Sequence, residues 1–198
     1  MLPVLDPAST VSPADFAGGL SLSDDARALV PGAPTLHSLL LALVEAKLHG
    51  DAARLLVRGL PRRYAVAWVC DCFRRDAEIQ PLSAADADCL RCAEAWIAED
   101  TDTNRRVALQ QAEANRFETP GSWLAAAAAW SGGSLAPPGY ATVVPAEHLS
   151  GDACYAALCL LAARASPALY KGRLGAWVER AVAVFLQGAT TDGGAAIK

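Results

Sequence analysis

Long apolar runs are missing from this chain, and so is a basic charge balance. The longest strongly apolar stretch, around residues 155–163, is far too short to cross a membrane, so no membrane insertion is expected. The opening residues, MLPVLDPASTVSPADF, have neither a basic start nor a continuous apolar centre, and do not read as a secretory signal. A net charge of −4 and a pI near 5.3 argue against a nucleic-acid partner, which would call for a basic face to neutralise phosphates. The arginine pairs Arg62/Arg63, Arg74/Arg75 and Arg105/Arg106 are local, and each has acids nearby. Six cysteines in 198 residues do not make a disulfide scaffold, and in a reducing compartment most of them are expected as free thiols. The expected location is the cytoplasm.

Catalytic signatures are equally scarce. The three histidines, His37, His49 and His148, have no serine or cysteine nucleophile at a recognisable motif spacing. Ser131-Gly132-Gly133-Ser134 lacks the lysine of a phosphate-binding loop and reads as a helix C-cap entering a proline-rich loop. Cys70-x-Cys72 and Cys89-x-x-Cys92 superficially suggest a four-thiolate metal site. Residues two apart on a helix point about 200° away from each other, so Cys70 and Cys72 cannot share a metal without a break in the helix. Cys72, Cys89 and Cys92 read instead as small buried side chains. No catalytic residue, cofactor or metal ligand is predicted.

The composition that is present suits helices. Apolar residues make up 53% of the chain and charged residues 19%, and much of the apolar share is alanine. The predicted fold is all-α: a single domain of about eight helices in stacked antiparallel hairpins, with one long proline- and glycine-rich loop. Residues 1–22, with Pro3, Pro7 and Pro13, read as an extended N-terminal arm, residues 23–187 as the helical domain, and 188–198 as a flexible tail. A leucine-rich helix follows Pro34-Thr35, and Gly50 is its expected stop. The pair of helices over Arg62–Trp96 reads as a central hairpin. Tyr64, Ala65, Trp68, Val69, Cys72 and Phe73 face inward from its first helix; Ala85, Cys89, Cys92, Ala93, Trp96 and Ile97 face inward from its second. Ser83 and Asp86 resemble a capping box. Glu94 falls mid-helix and reads as solvated or paired with Arg63 or Arg105. Thr101 caps a polar helix with Val107, Gln111 and Ala114 inward, and Thr119-Pro120 opens the alanine-rich helix SWLAAAAAW. Residues 134–150 are the one long irregular segment, and such loops in compact domains tend to be functional. YATVV, at 140–144, is the only strand-like run and has no partner strand in the sequence.

Several stretches together resemble an uncharacterised bacterial domain family often encoded beside components of contractile, type VI, secretion systems. They are Leu60-Pro61-Arg62-Arg63 leading to Trp68-Val69-Cys70, Ala93-Glu94-Ala95-Trp96, Asn104-Arg105-Arg106, and the run from Trp130 through Ser131-Gly132-Gly133-Ser134-Leu135-Ala136-Pro137-Pro138. The resemblance covers about residues 50–165 and implies a genomic context rather than a mechanism. The expected function is a non-enzymatic protein-binding module: an adaptor, chaperone or scaffold engaging a secretion component, an effector or a toxin. The alternatives are an immunity protein that inhibits a co-encoded toxin, favoured by the acidic surface, and an enzyme working in a pocket between helices. The contact surface expected for the binding module comprises Asn104, Arg105, Arg106 and Gln110 with Ser134, Leu135, Pro137 and Pro138 of the loop.

Overall fold

A computed structural model of the chain describes residues 5, 8–137 and 139–187. Among them the regular structure is entirely helical, in agreement with the all-α reading. The α-helices are α1 (Pro13–Gly18), α2 (Asp24–Leu29), α3 (Leu36–Glu45), α4 (His49–Gly59), α5 (Arg62–Ile79), α6 (Ala84–Ala98), α7 (Asp102–Ala114), α8 (Pro120–Ala129), α9 (Leu149–Ala163) and α10 (Tyr170–Gln187). Short 3-10 turns lie at Val30–Gly32 and Pro167–Leu169. No single described helix is long and apolar enough to cross a membrane. The helices form two compact units, one from Met1–Leu60 with Lys171–Lys198 and the other from Pro61–Tyr170. The tail predicted at 188–198 lies outside the described residues.

In the first unit, the segment read as an extended arm is partly helical. Ser12 caps α1 by accepting from the Asp15 amide, which the prolines upstream do not prevent because Pro13 occupies the first helical turn. Leu5 is buried, and its side chain fills the space that a Cβ on Gly59 would need. Ser23 caps α2, and both its amide and its hydroxyl donate to the Asp51 carboxylate, at 2.8 and 2.9 Å. The leucine-rich helix α3 opens with a capping box between Thr35 and Ser38. It does not end at Gly50, which lies inside α4. Lys47 takes the left-handed conformation (φ 59°) and the Leu48 amide donates back to Leu43 O at 2.9 Å, closing the helix in the six-to-one manner that glycine usually supplies. Glu179 of α10 pairs with Lys47 and lies 3.4 Å from His49 Nε2.

The second unit is organised around α8 rather than around the hairpin of α5 and α6. Helix α8 packs against α5, α6, α7 and α9. From Leu124 to Ala129 every residue is buried, so the helix is apolar on all sides, the pattern of a helix surrounded by others. Its alanines allow the four neighbours to approach closely. The face of α7 follows from this: Ala108 and Ala112 are the buried pair, while Val107, expected inward, is exposed. The α6 face is rotated in the same way, with Asp86 and Leu90 buried beside Cys89, Ala93 and Trp96. Cys70 and Cys72 point to different sides of α5, yet both are buried, because α6, α8 and α9 all pack on that helix; Cys92 is only half-buried. Tyr64, predicted inward, is exposed.

Buried polar groups lock this unit. Ser83 caps α6 by accepting from the Asp86 amide, but Asp86 accepts from the Ser83 hydroxyl rather than from its amide, so the expected capping box is not closed. The other Asp86 oxygen accepts from the Gly121 amide, at 2.8 Å, and so caps α8 from α6. A Cβ on Gly121 would lie 2.7 Å from Asp86 Cα, so only glycine fits there. Asp76, 1% exposed, forms an ion pair with Arg164 (Nε–Oδ2 3.0 Å), which also donates to the carbonyl oxygens of Gln80 and Pro81 beyond the end of α5. Glu94 is paired after all, and with neither arginine named from the sequence. Arg74 of α5 holds it through two bonds of 2.7 and 2.5 Å, while Arg63 donates to Ile97 O at the end of α6.

Candidate functional site

Helix α7 begins at the Thr101 cap, which places Asp102, Arg105 and Arg106 in its first turns. The carboxylate of Asp102 accepts from Arg105 Nη2 at 2.8 Å and from Arg106 Nε at 2.6 Å. The Arg106 hydrogen bond, ahead of the nearby charges, holds the Asp102 carboxyl below its usual range. With each guanidinium fixed on this acid, the remaining N–H groups reach the loop after α8. Arg105 Nη1 donates to Gly132 O at 2.5 Å and Arg106 Nη1 to Ala136 O at 3.2 Å. A third arginine, Arg62 at the start of α5, donates to Ser131 O at 2.6 Å. Charged donors on carbonyl oxygens are among the stronger hydrogen bonds, about 1.5–3 kcal/mol each in net terms. Three of them tie six consecutive residues of loop to two helices.

Gly133 is the residue that lets this happen. Its φ is +66°, and a Cβ there would sit 1.7 Å from Arg105 Nη1. Gly132 beside it has open space around it. The sequence Ser-Gly-Gly-Ser therefore works as a saddle for a guanidinium, with one glycine required and the other not.

Beyond the saddle the loop is braced internally. Ser134 Oγ accepts from the amides of Ala136 and Val143, both at 3.1 Å, and the Leu135 amide donates to Val143 O at 2.8 Å. A turn closes between them, with Tyr140 N–H on Pro137 O at 3.2 Å and Gly139 at φ +89°. Because the hydroxyl of Ser134, not a backbone carbonyl, takes the Val143 N–H, the pairing falls one hydrogen bond short of a β-bridge. The side chains that follow the turn stand in solvent: Tyr140 is 76% exposed, Val143 51% and Val144 73%. Pro145 then returns the chain to the interior.

The two stretches predicted to share a surface are thus brought together, but with changed roles. Arg105, its side chain 13% exposed, and Arg106 lie against the loop and hold it. Asn104 turns its amide to Ala95 O and Glu99 O at the end of α6. Gln110 is exposed on α7. Ser134 and Leu135 are half-buried braces, Pro137 is exposed, and Pro138 lies outside the described residues. The exposed apolar residues Tyr140, Val143 and Val144 were missed as contact residues. Their signal was present: a β-branched run with no strand to pair with, in a chain of helices.

A second aromatic feature lies at the end of α7. Arg116 and Phe117 both adopt positive φ, 52° and 57°, and the Phe117 amide donates to Ala112 O at 3.1 Å. Left-handed backbone costs a non-glycine residue about 1–2 kcal/mol. Phe117 offsets it by stacking on Trp130 (centroids 5.8 Å apart) and tilting onto Trp123 (5.8 Å), and the two indoles meet edge to face at 6.3 Å. The trio is half-buried and secures the two ends of α8.

The thiols are placed for packing. All six cysteines are free. Burial raises the pKa of Cys70 well above the ordinary thiol value and raises that of Cys154, and it pushes Cys89 up to about 12. Cys89 also accepts from Asn115 Nδ2 at 3.5 Å. Among the described residues no group of three or more His, Cys, Asp or Glu side chains could hold a metal ion.

The fold and the clamped loop define an all-helical module whose most distinctive surface is an arginine-pinned loop. The chain belongs to a family of unknown function, DUF6931, whose model matches residues 39–185. That range runs beyond the resemblance seen in the sequence and takes in nearly all of α10. No curated protein matches the chain, and no solved structure does.

Proposed function

We propose that the protein is a non-enzymatic protein–protein interaction module, an adaptor, chaperone or scaffold, that binds its partner through the loop between α8 and α9. One observation carries this reading. The loop is fixed to the helices by three arginine bonds at residues 131–136, and it spends that rigidity on presenting a tyrosine and two valines to solvent. A rigid epitope loses little conformational entropy on binding, and exposed aromatic side chains are the usual anchors of protein interfaces. The resemblance to domains encoded beside type VI secretion genes supports a setting in the bacterial cytoplasm, as an accessory to that apparatus.

A second reading, an immunity protein acting on a co-encoded toxin, is favoured by the charge distribution. The unit Pro61–Tyr170 holds thirteen acids and nine arginines and no lysine, so the whole net charge of −4 resides there. An acidic surface steers onto a basic enzyme.

The test is affinity capture from the native host with the wild-type chain and with Tyr140→Asp/Val144→Asp. Loss of the captured partner by a variant that keeps its helical signal supports the reading; an unchanged set of partners sinks it. A toxin among the partners selects the second reading, and a secretion component the first.

A further inference from the structure

The loop's last exposed stretch carries more information than its apolarity. Residues 141–144, Ala-Thr-Val-Val, precede Pro145, which restricts Val144 to extended backbone, and β-branched residues favour the same conformation. Both backbone groups of Val143 point back into the loop, its N–H to Ser134 Oγ and its C=O to the Leu135 amide. In an extended chain the groups of alternate residues point to opposite edges. Those of Thr142 and Val144 therefore face away from the loop. Among the described residues, neither of these amides nor either carbonyl has a hydrogen-bond partner. One edge is braced, and the other presents unpaired strand groups to solvent.

Charge identifies the kind of strand that fits. Of the nine arginines in the Pro61–Tyr170 unit, six pair with carboxylates of the same unit, and Arg62 and Arg63 bond to backbone carbonyl oxygens. Arg116 is the exception among the described residues. The side chains of Glu99, Glu113, Glu118 and Glu147 are exposed and make no ion pair among the described residues, and Glu147 lies three residues beyond Val144. Among the described residues the unit thus shows solvent four unpaired carboxylates against one unpaired arginine, an acidic balance.

We propose that the edge of Thr142–Val144 receives an extended, lysine- or arginine-bearing strand of a protein partner by β-strand addition. Backbone hydrogen bonds to Thr142 and Val144 supply the pairing, Tyr140 and Val144 the apolar contact, and the unpaired carboxylates the preference for a basic strand. This rests on the reading of the loop as the binding surface and specifies how it binds.

The test uses the full chain and three synthetic ten-residue peptides: valine and threonine alternating with lysine, the same with glutamate, and the lysine peptide interrupted by proline. By fluorescence anisotropy the lysine peptide binds at least about tenfold tighter than the other two, and its binding falls as salt rises. Thr142→Pro, which removes an outward N–H, weakens it by at least about tenfold, whereas Ala141→Pro, which removes an inward one, does not. Binding slows hydrogen exchange at the Thr142 and Val144 amides. Equal affinity for the lysine and glutamate peptides, absence of binding, or indifference to Thr142→Pro would each overturn the proposal. Peptide binding abolished by Tyr140→Asp but untouched by Thr142→Pro would leave the loop as the binding surface while removing strand addition; indifference to both would remove both. Self-association broken by Thr142→Pro, with no peptide bound, would make a second copy the occupant and overturn the basic partner strand.

Discussion

Replacing Gly133 by alanine tests the arginine clamp where it is least forgiving. The substitution places a Cβ at φ +66°, which costs an L residue about 1–2 kcal/mol by itself. That Cβ would also lie 1.7 Å from Arg105 Nη1 and 2.4 Å from Cζ, so the guanidinium has to leave. Arg105 is long and flexible and can move cheaply, but in moving it gives up its bond to Gly132 O, a further loss of about 1.5–3 kcal/mol. Gly133→Ala is expected to destabilise by about 2.5–5 kcal/mol in total. Gly132→Ala, with open space around it, should stay within about 0.5 kcal/mol of wild type. The decisive version is a double-mutant cycle read by denaturant unfolding and by hydrogen exchange at residues 131–137. In an Arg105→Ala background the clash is gone, so Gly133→Ala should cost only the backbone term of about 1–2 kcal/mol. An equal cost in both backgrounds would refute the saddle.

Other consequences can be measured separately. Arg164→Ala leaves the Asp76 carboxylate buried without its cation, and should cost about 3–5 kcal/mol in chemical denaturation, far more than removal of an exposed arginine such as Arg91. Gly121→Ala drives a Cβ against the backbone of Asp86; the overpacking should cost about 1–3 kcal/mol and uncap α8, visible as faster exchange of the first α8 amides. Asp102 is held below its usual range, so its contribution to the clamp is present above pH ~4, the unfolded value, and is lost as pH falls through the depressed folded value. Protection of the amides at 131–136, relative to their intrinsic exchange rates, should fall on acidification, and Asp102→Asn should remove that dependence. With its pKa pushed up to about 12, Cys89 should resist alkylation in native protein at pH 8 and react only on unfolding, which mass mapping of the labelled thiols would show.

What the sequence made legible was local. Helical spacing and caps at Thr35, Ser83, Thr101 and Thr119 mark the helices, because each cap is a contact across three residues. The end of α3 was not legible, since Lys47 in left-handed backbone leaves no mark where Gly50 offers an obvious one. Nor was the centre of the second unit. Alanine on every side of α8 gives no periodic face to read, whereas the cysteines and tryptophans of α5 and α6 attract notice. The partners of charged side chains were hidden for a simpler reason. Glu94 meets Arg74, twenty residues away, only through the register of α5 on α6, and Arg105 meets Gly132 only after α7 and α8 have packed. Both halves of the candidate site were named from sequence as one surface. The structure reassigns the arginines to holding the loop and moves the exposed contact residues to Tyr140, Val143 and Val144.

If the clamped loop is the binding surface, quantitative capture of partners from the native host by wild type and by Tyr140→Asp/Val144→Asp will show it, with circular dichroism and unfolding midpoints alongside. The double variant is expected to fold as the wild type does and to lose its specific partner. A variant that folds normally and retains every partner would contradict the loop's role as the binding surface.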